Sequence, residues 1–227
     1  MTEVQFQDWP LRAELLRAIE DLGFEQPTPI QTEAIPLILE GHDLIGQAQT
    51  GTGKTAAFGI PLLNQLQKNG NVEVLILTPT RELAIQVSEE LSRLAKYLRI
   101  RILPVYGGQS IDRQIRILRQ KPSIVVGTPG RVIDHLNRGT LSLANIRAFV
   151  LDEADEMLDM GFIDDIERIL DHARDERQTL LFSATMPAPI RKLAQQYLKD
   201  PRRVAIQPQT VTVPLIAPLL PSASRVD

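Results

Sequence analysis

Ala148-Phe149-Val150-Leu151-Asp152-Glu153-Ala154-Asp155 is the stretch from which the fold is read. A short apolar run closes directly on two adjacent carboxylates, and a third follows two residues later. Apolar residues bounded in this way predict a buried strand, and acidic groups at its end sit where a sheet meets solvent. Carboxylates so placed can hold Mg²⁺ and orient a water, which is half of what nucleoside triphosphate hydrolysis needs. The other half is a phosphate cradle. It lies upstream, at Ala48-Gln49-Thr50-Gly51-Thr52-Gly53-Lys54-Thr55.

In that cradle, glycines let successive backbone N–H groups converge on phosphate oxygens. Lys54 is placed to reach the β- and γ-phosphates, and the Thr55 hydroxyl to ligate Mg²⁺. The strict form of the motif begins with glycine, where this chain has Ala48. A glycine-rich turn with a chance lysine is the alternative, and an expected strand before the segment and helix after it argue against that. Asp152 is the expected Mg²⁺ ligand and Glu153 the group that polarises the attacking water. Carboxylates also favour helix N-termini, and Asp155 fits that plainer description.

Working outward, short β-rich runs alternate with longer helical ones. Strands are expected at Asp43–Gln47, Val72–Thr78, Arg101–Tyr106, Ser123–Gly127, Arg147–Asp152, Thr179–Ser183 and Arg203–Ile206. Helices are expected at Thr55–Leu66, Arg81–Tyr97, Ile111–Arg119, Arg131–Asn137, Phe162–His172 and Ala188–Tyr197. Such alternation implies βαβ units, hence an α/β fold with a mainly parallel sheet and helices on both faces. Every strand of a parallel sheet ends on one rim, where helix N-termini present free N–H groups. The polar and glycine-rich segments fall just after strands: the cradle, Pro79-Thr80-Arg81, Gly107-Gly108, Thr128-Pro129-Gly130-Arg131, Asp152–Asp155 and Ser183-Ala184-Thr185. Together they outline an anion-binding surface longer than a mononucleotide needs.

Several of these residues also have plain structural readings. Thr28-Pro29-Ile30-Gln31 forms a capping box, which by itself assigns Gln31 mainly to capping. Gly107-Gly108 reads as a turn, and Ser183 and Thr185 as local caps. Arg81 and Arg131 stand at helix starts, where a cation opposes the dipole, so anion binding is favoured over a structural role. His42, His135 and His172 share no metal-like spacing and read as surface or helix residues. Trp9 and Phe6 are expected to pack the N-terminal helix onto the body.

The bulk composition sets limits. A chain of 227 residues can bury a sizeable core. It has no cysteine, so disulfides and thiolate metal sites are excluded. No apolar run is long enough for a membrane span and no secretory signal is read at Met1-Thr2-Glu3, so no membrane association and a cytoplasmic location are expected. The formal charge of −3 requires any nucleic-acid site to be local and geometric rather than a broad basic surface.

Taken together, these residues resemble the first RecA-like domain of the DEAD-box RNA helicases, from about Phe6 to Ile206. The resemblance includes Gly23, Phe24, Pro27, Thr28 and Gln31, the cradle with its Ala48, and Pro79-Thr80-Arg81-Glu82-Leu83-Ala84. It continues through Gly107-Gly108, Thr128-Pro129-Gly130-Arg131, Asp152-Glu153-Ala154-Asp155 and Ser183-Ala184-Thr185. The run Gly46–Phe58 looks most like the bacterial cold-shock branch. The resemblance implies ATP and Mg²⁺ as ligands, adenine recognition by Gln31, stacking by Phe24 and support of that pocket by Phe6. It further implies that Pro79, Thr80, Arg81, Gly107, Gly108, Thr128 and Arg131 line an RNA backbone, with little sequence specificity. Ser183 and Thr185, through Asp155, would couple hydrolysis to unwinding.

Family members also need a second RecA-like domain, and nothing after Ile206 resembles one. The expected division is a nucleotide-binding domain at 1–207 and a linker or disordered tail at 208–227, with little turnover by the chain alone. An ATPase acting on DNA or protein, and an ATP-gated RNA clamp, are the competing functions.

Overall fold

The strand at Ala148–Leu151 is the middle strand of a seven-stranded, fully parallel sheet. The computed structural model describes residues 4–67 and 69–206. In chain order the strands are β1 (Leu44–Gln47), β2 (Val74–Leu77), β3 (Ile102–Val105), β4 (Ile124–Gly127), β5 (Ala148–Leu151), β6 (Gln178–Ser183) and β7 (Arg202–Ala205). They lie side by side as β3-β4-β2-β5-β6-β1-β7. Each strand expected from sequence is present, with ends displaced by one or two residues. Pro104 falls in β3, an edge strand, where a missing ladder donor is tolerated.

The helices are α1 (Ala13–Asp21), α2 (Pro29–Leu39), α3 (Lys54–Gln65), α4 (Arg81–Leu94), α5 (Ile111–Leu118), α6 (Pro129–Asn137), α7 (Ala154–Asp159), α8 (Ile163–Asp171) and α9 (Ala188–Tyr197). Alternate strand residues feed two cores, as the period of two requires. Ile76, Val150 and Phe182 face Ile35 of α2, Phe58 of α3 and Leu91 of α4. Leu75, Phe149 and Leu181 face Ile133 of α6, Ile166 of α8 and Leu193 of α9. Burying one such side chain contributes about 1.5–3 kcal/mol, so the apolar strands drive the sheet's assembly. Gly46 is required by packing: a Cβ there would lie 2.6 Å from the Phe182 ring.

The register aligns Leu151 with Leu77 and Leu181, and Gln47 with Ser183. The sequence-predicted functional segments therefore leave the sheet along one rim. Among the described residues, no helix is long and apolar enough to cross a membrane. Gln207 and the 208–227 segment lie outside the described residues.

Candidate functional site

Between β1 and α3 the chain passes Gly51 and Gly53 with φ of 79° and 89°, the left-handed region that glycine adopts without strain. Two side chains from the start of α2 brace the resulting loop. Thr28 Oγ1 donates to the Thr52 carbonyl at 2.9 Å, and Gln31 Nε2 donates to the Gly53 carbonyl at 3.2 Å. Gln31 Oε1 accepts the Thr28 backbone N–H at 2.9 Å, so the expected capping box is present. Gln31 therefore caps α2 and holds the loop at once. Thr52 Oγ1 donates to the Gln49 carbonyl at 2.8 Å, Ala48 is buried, and Gln49 and Thr50 are exposed.

Lys54 opens α3, and Asp152 follows β5 with its N–H on the Leu77 carbonyl at 3.0 Å. They share a cleft of about 350 Å³ with Thr50, Gly51, Thr55, Glu90 and Glu153. Asp152 is 3% exposed and its Oδ1 has no hydrogen-bond partner. Burial pushes its carboxyl up to about 6, although the nearby Lys54 ammonium opposes the shift. Burial also raises the Glu153 carboxyl. Glu153 has φ 53° at the start of α7, a strained conformation for a residue with a Cβ. Glu90, which the sequence reading did not select, comes from α4. Burial raises its carboxyl too, against a hydrogen bond with the Thr55 hydroxyl.

This donor set fits a hard divalent cation. Magnesium takes oxygen ligands and keeps several waters or phosphate oxygens, so it needs only one or two protein groups. Asp152 Oδ1 is a buried oxygen without a partner, and the Thr55 hydroxyl lines the same cleft. Among the described residues no group of three or more His, Asp or Glu side chains forms a self-sufficient metal cage.

Phe6 is buried and Phe24 half-buried, with ring centroids 6.2 Å apart and tilted by 33°. Trp9 meets Phe6 edge-on at 5.7 Å. Phe6 thus packs between the Phe24 and Trp9 rings, and Phe24 keeps an accessible part.

Further along the rim Thr80 caps α4, accepting the Leu83 N–H at 3.2 Å, and Pro79 is buried. Arg81 is exposed, with its guanidinium carbon 5.0 Å from the centroid of the Tyr106 ring. Gly108 has φ 78°, whereas a Cβ on Gly107 would meet no atom within 4 Å. Thr128 is half-buried at the start of α6. Arg131 has structural partners that the dipole argument did not foresee. Its Nη1 donates to the Gln109 carbonyl at 2.9 Å and to Gln114 Oε1 at 3.1 Å. His135 is a helix residue but not a surface one: it is fully buried in α6 beside Gln114, and burial pushes its imidazole down to about 4.

Asp155 joins α7 to the end of β6. Thr185 donates to its carboxylate from both N–H (2.8 Å) and Oγ1 (2.9 Å), and the Asp155 N–H donates to Ser183 Oγ at 3.2 Å. Burial alone would raise the Asp155 carboxyl, but hydrogen bonds from Ser183 and Thr185 outweigh it and hold the carboxyl below 3.8. The sequence-predicted residues thus lie along one rim, with Asp155 tied to Ser183 at the end of β6 and to Thr185 just beyond it.

A glycine-rich loop opening a helix, facing strand-end carboxylates on a parallel sheet, defines a nucleotide-binding P-loop domain of the RecA-like kind. Residues 28–193 match the sequence pattern of the DEAD/DEAH box helicase family, and the chain belongs to that family. It is 58% identical over 212 residues to the DEAD-box ATP-dependent RNA helicase CshA of Geobacillus kaustophilus, covering 93% of this chain and 45% of that protein. Identity to the CshA of Bacillus subtilis is 55%, covering 92% of this chain and 43% of the relative. These matches agree with the cold-shock branch read from Gly46–Phe58. The chain therefore spans less than half the length of these curated relatives. Among solved structures, a DEAD box protein from Methanococcus jannaschii superposes with a TM-score of 0.87 at 48% identity, covering 89% of this chain and 56% of that one. A hypothetical ATP-dependent RNA helicase from Sulfolobus tokodaii gives 0.80 at 38%, covering 86% and 57%.

Proposed function

We propose that the protein couples ATP binding and hydrolysis to the separation of RNA strands, and that this chain is its nucleotide-binding half. One observation carries the reading: a buried Asp152 carboxylate with an unpartnered oxygen shares the loop's cleft with Lys54. Lys54 and the loop amides from Gln49 to Thr55 hold the phosphates, while Gln31 and Phe24, supported by Phe6, hold adenine. Asp152 and Thr55 would hold Mg²⁺, which when bound supplies neutralisation of the charge on the β- and γ-phosphate oxygens. Glu153 orients the attacking water and accepts its proton; burial has already raised its carboxyl toward the range useful in a general base.

Pro79, Thr80, Arg81, Gly107, Gly108, Thr128 and Arg131 contact the backbone of RNA, and Asp155 with Ser183 and Thr185 couples the two sites. Backbone-directed contact suits a chain of net charge −3. Residues 1–207 constitute one domain, and 208–227 lead toward a second RecA-like domain that supplies arginines to the γ-phosphate. Such arginines can be worth about 10³–10⁵ in rate, so this chain alone turns over slowly. An RNA substrate supports a cytoplasmic location.

The test is ATPase rate with RNA, with DNA of the same sequence and with neither, for this chain alone and joined to a second domain. Stimulation by RNA only when the second domain is present is expected. Robust RNA-stimulated turnover by this chain alone, or equal stimulation by DNA, would overturn the reading.

A further inference from the structure

Arg131 can only donate hydrogen bonds, and this fixes the Gln114 amide and the His135 Nε2 proton in the buried cluster around it. The Gln114 atom facing Arg131 Nη1 at 3.1 Å must be the side-chain oxygen. That oxygen also lies 2.9 Å from His135 Nε2, so Nε2 carries the imidazole proton. Burial keeps the ring neutral, so His135 Nδ1 is bare and faces the Thr140 hydroxyl at 2.8 Å, whose one proton is shared between Nδ1 and the His135 carbonyl at 3.1 Å. The Gln114 amide nitrogen, in turn, donates to the Tyr106 carbonyl and to Gln109 Oε1, both at 3.1 Å. Gln114 is 1% exposed and His135 fully buried, and all four hydrogen-bonding positions of the Gln114 amide are used.

The cluster reaches both arginines of the rim. Arg131 spends Nη1 on Gln109 and Gln114, and its Nε lies 3.6 Å from the Asp134 carboxylate. Nη2 has no protein hydrogen bond among the described residues. The Tyr106 carbonyl is held by Gln114, and the Tyr106 ring carries the Arg81 guanidinium.

We propose that Gln114 and His135 are positioning residues for RNA. They lock the Arg131 fork and the Gly107–Gln109 turn in one arrangement, leaving Arg131 Nη2 for a backbone phosphate. This rests on the RNA reading above. Guanidinium binds phosphate best with its plane fixed beforehand, since little side-chain freedom is then lost on binding. A neutral imidazole suits the task, because it adds no second positive charge behind Arg131.

The test combines nitrogen NMR of the His135 ring with affinities for oligouridylate and ADP. In the unaltered chain the ring is expected protonated at Nε2 only; protonation at Nδ1 alone would overturn the proposal without any variant being made. His135→Leu and Gln114→Met are expected to weaken oligouridylate binding about tenfold, as loss of a buried hydrogen bond implies, and to leave ADP affinity unchanged. His135→Gln, whose amide can donate to Gln114, is expected to retain most of the RNA affinity. Folded His135→Leu binding RNA like the unaltered chain would overturn the proposal, as would failure of His135→Gln to rescue. If the unaltered chain binds no RNA the RNA reading fails instead, and the ring measurement still decides the hydrogen-bond network.

Discussion

Replacing Asp152 with asparagine should stabilise the nucleotide-free chain at neutral pH. The carboxyl is lifted from 3.8 to about 6 by burial. Between those values the folded state keeps a proton that the unfolded state has released. The folded-state pKa is therefore raised, so stability is complete below about pH 4 and declines as pH rises through about 6. One pKa unit is about 1.4 kcal/mol, so the ionised carboxylate costs about 3 kcal/mol at pH 7. Lys54 already acts within that figure, since its attraction lowers the same carboxyl. For a domain of this size about 1 kcal/mol moves Tm by about 2–4 °C, giving about 6–12 °C in favour of Asp152→Asn. The assay is thermal unfolding of both proteins from pH 4 to 8 in metal-free, nucleotide-free buffer. The two Tm curves should meet near pH 4, diverge until about pH 6 and run parallel above it, with Asp152→Asn the more stable. A gap that is constant between pH 4 and 6, or one that narrows with pH, would overturn this prediction. ATP with Mg²⁺ should then favour the unaltered chain, since it stabilises only the form that binds it.

The roles within the cleft separate by variant. Lys54→Ala should weaken nucleotide binding, whereas Glu153→Gln should retain binding and lower hydrolysis in a protein carrying both domains; titration calorimetry and ATPase rates check this, and equal loss of binding would contradict it. Gly53→Ala should abolish nucleotide binding, because its Cβ would stand 2.6 Å from Gln31 Nε2 at φ +89°. The strain alone is about 1–3 kcal/mol, readable by urea unfolding. Thr185→Val removes the hydroxyl bond to Asp155 and should leave ATP affinity unchanged while reducing strand separation per ATP hydrolysed. Unchanged coupling in a strand-displacement assay would count against the bridge.

What was legible in sequence was local. The strand ending in Asp152, the loop from Ala48 to Thr55 and the box at Thr28–Gln31 each declare themselves within eight residues, because periodicity, glycine and capping act at short range. Helix α1 has no such signal, since Arg12 at its start makes no side-chain cap. Glu90 escaped notice because nothing near it in sequence distinguishes it from a solvated face of α4; only folding brings it to Thr55. Arg131 was judged from its helix dipole, which ignores tertiary partners. Its contacts to Gln109 and Gln114 come from 22 and 17 residues away. His135 lies in a helix, as its place in the chain implies, but its spacing held no information on burial.

The bridge at the strand ends has a mechanical consequence. Ser183 stands opposite Gln47 in the sheet, and its carbonyl accepts the N–H of Ala48, the first residue of the phosphate loop, at 3.2 Å. Its hydroxyl accepts the Asp155 N–H. One residue therefore touches the nucleotide loop with its backbone and the start of α7 with its side chain. The left-handed turn at Glu153 sets Asp152 toward Lys54 and Asp155 toward Thr185, although only two residues separate the carboxylates. A regular helix begun at Asp152 would stack residues three apart on one face, which would bring both acids to the same side. The strain of about 1–3 kcal/mol at Glu153 is thus what lets one short acidic run face Lys54 with one carboxylate and Thr185 with another. Relaxing that turn would align the carboxylates and break the Asp155 bonds to Thr185.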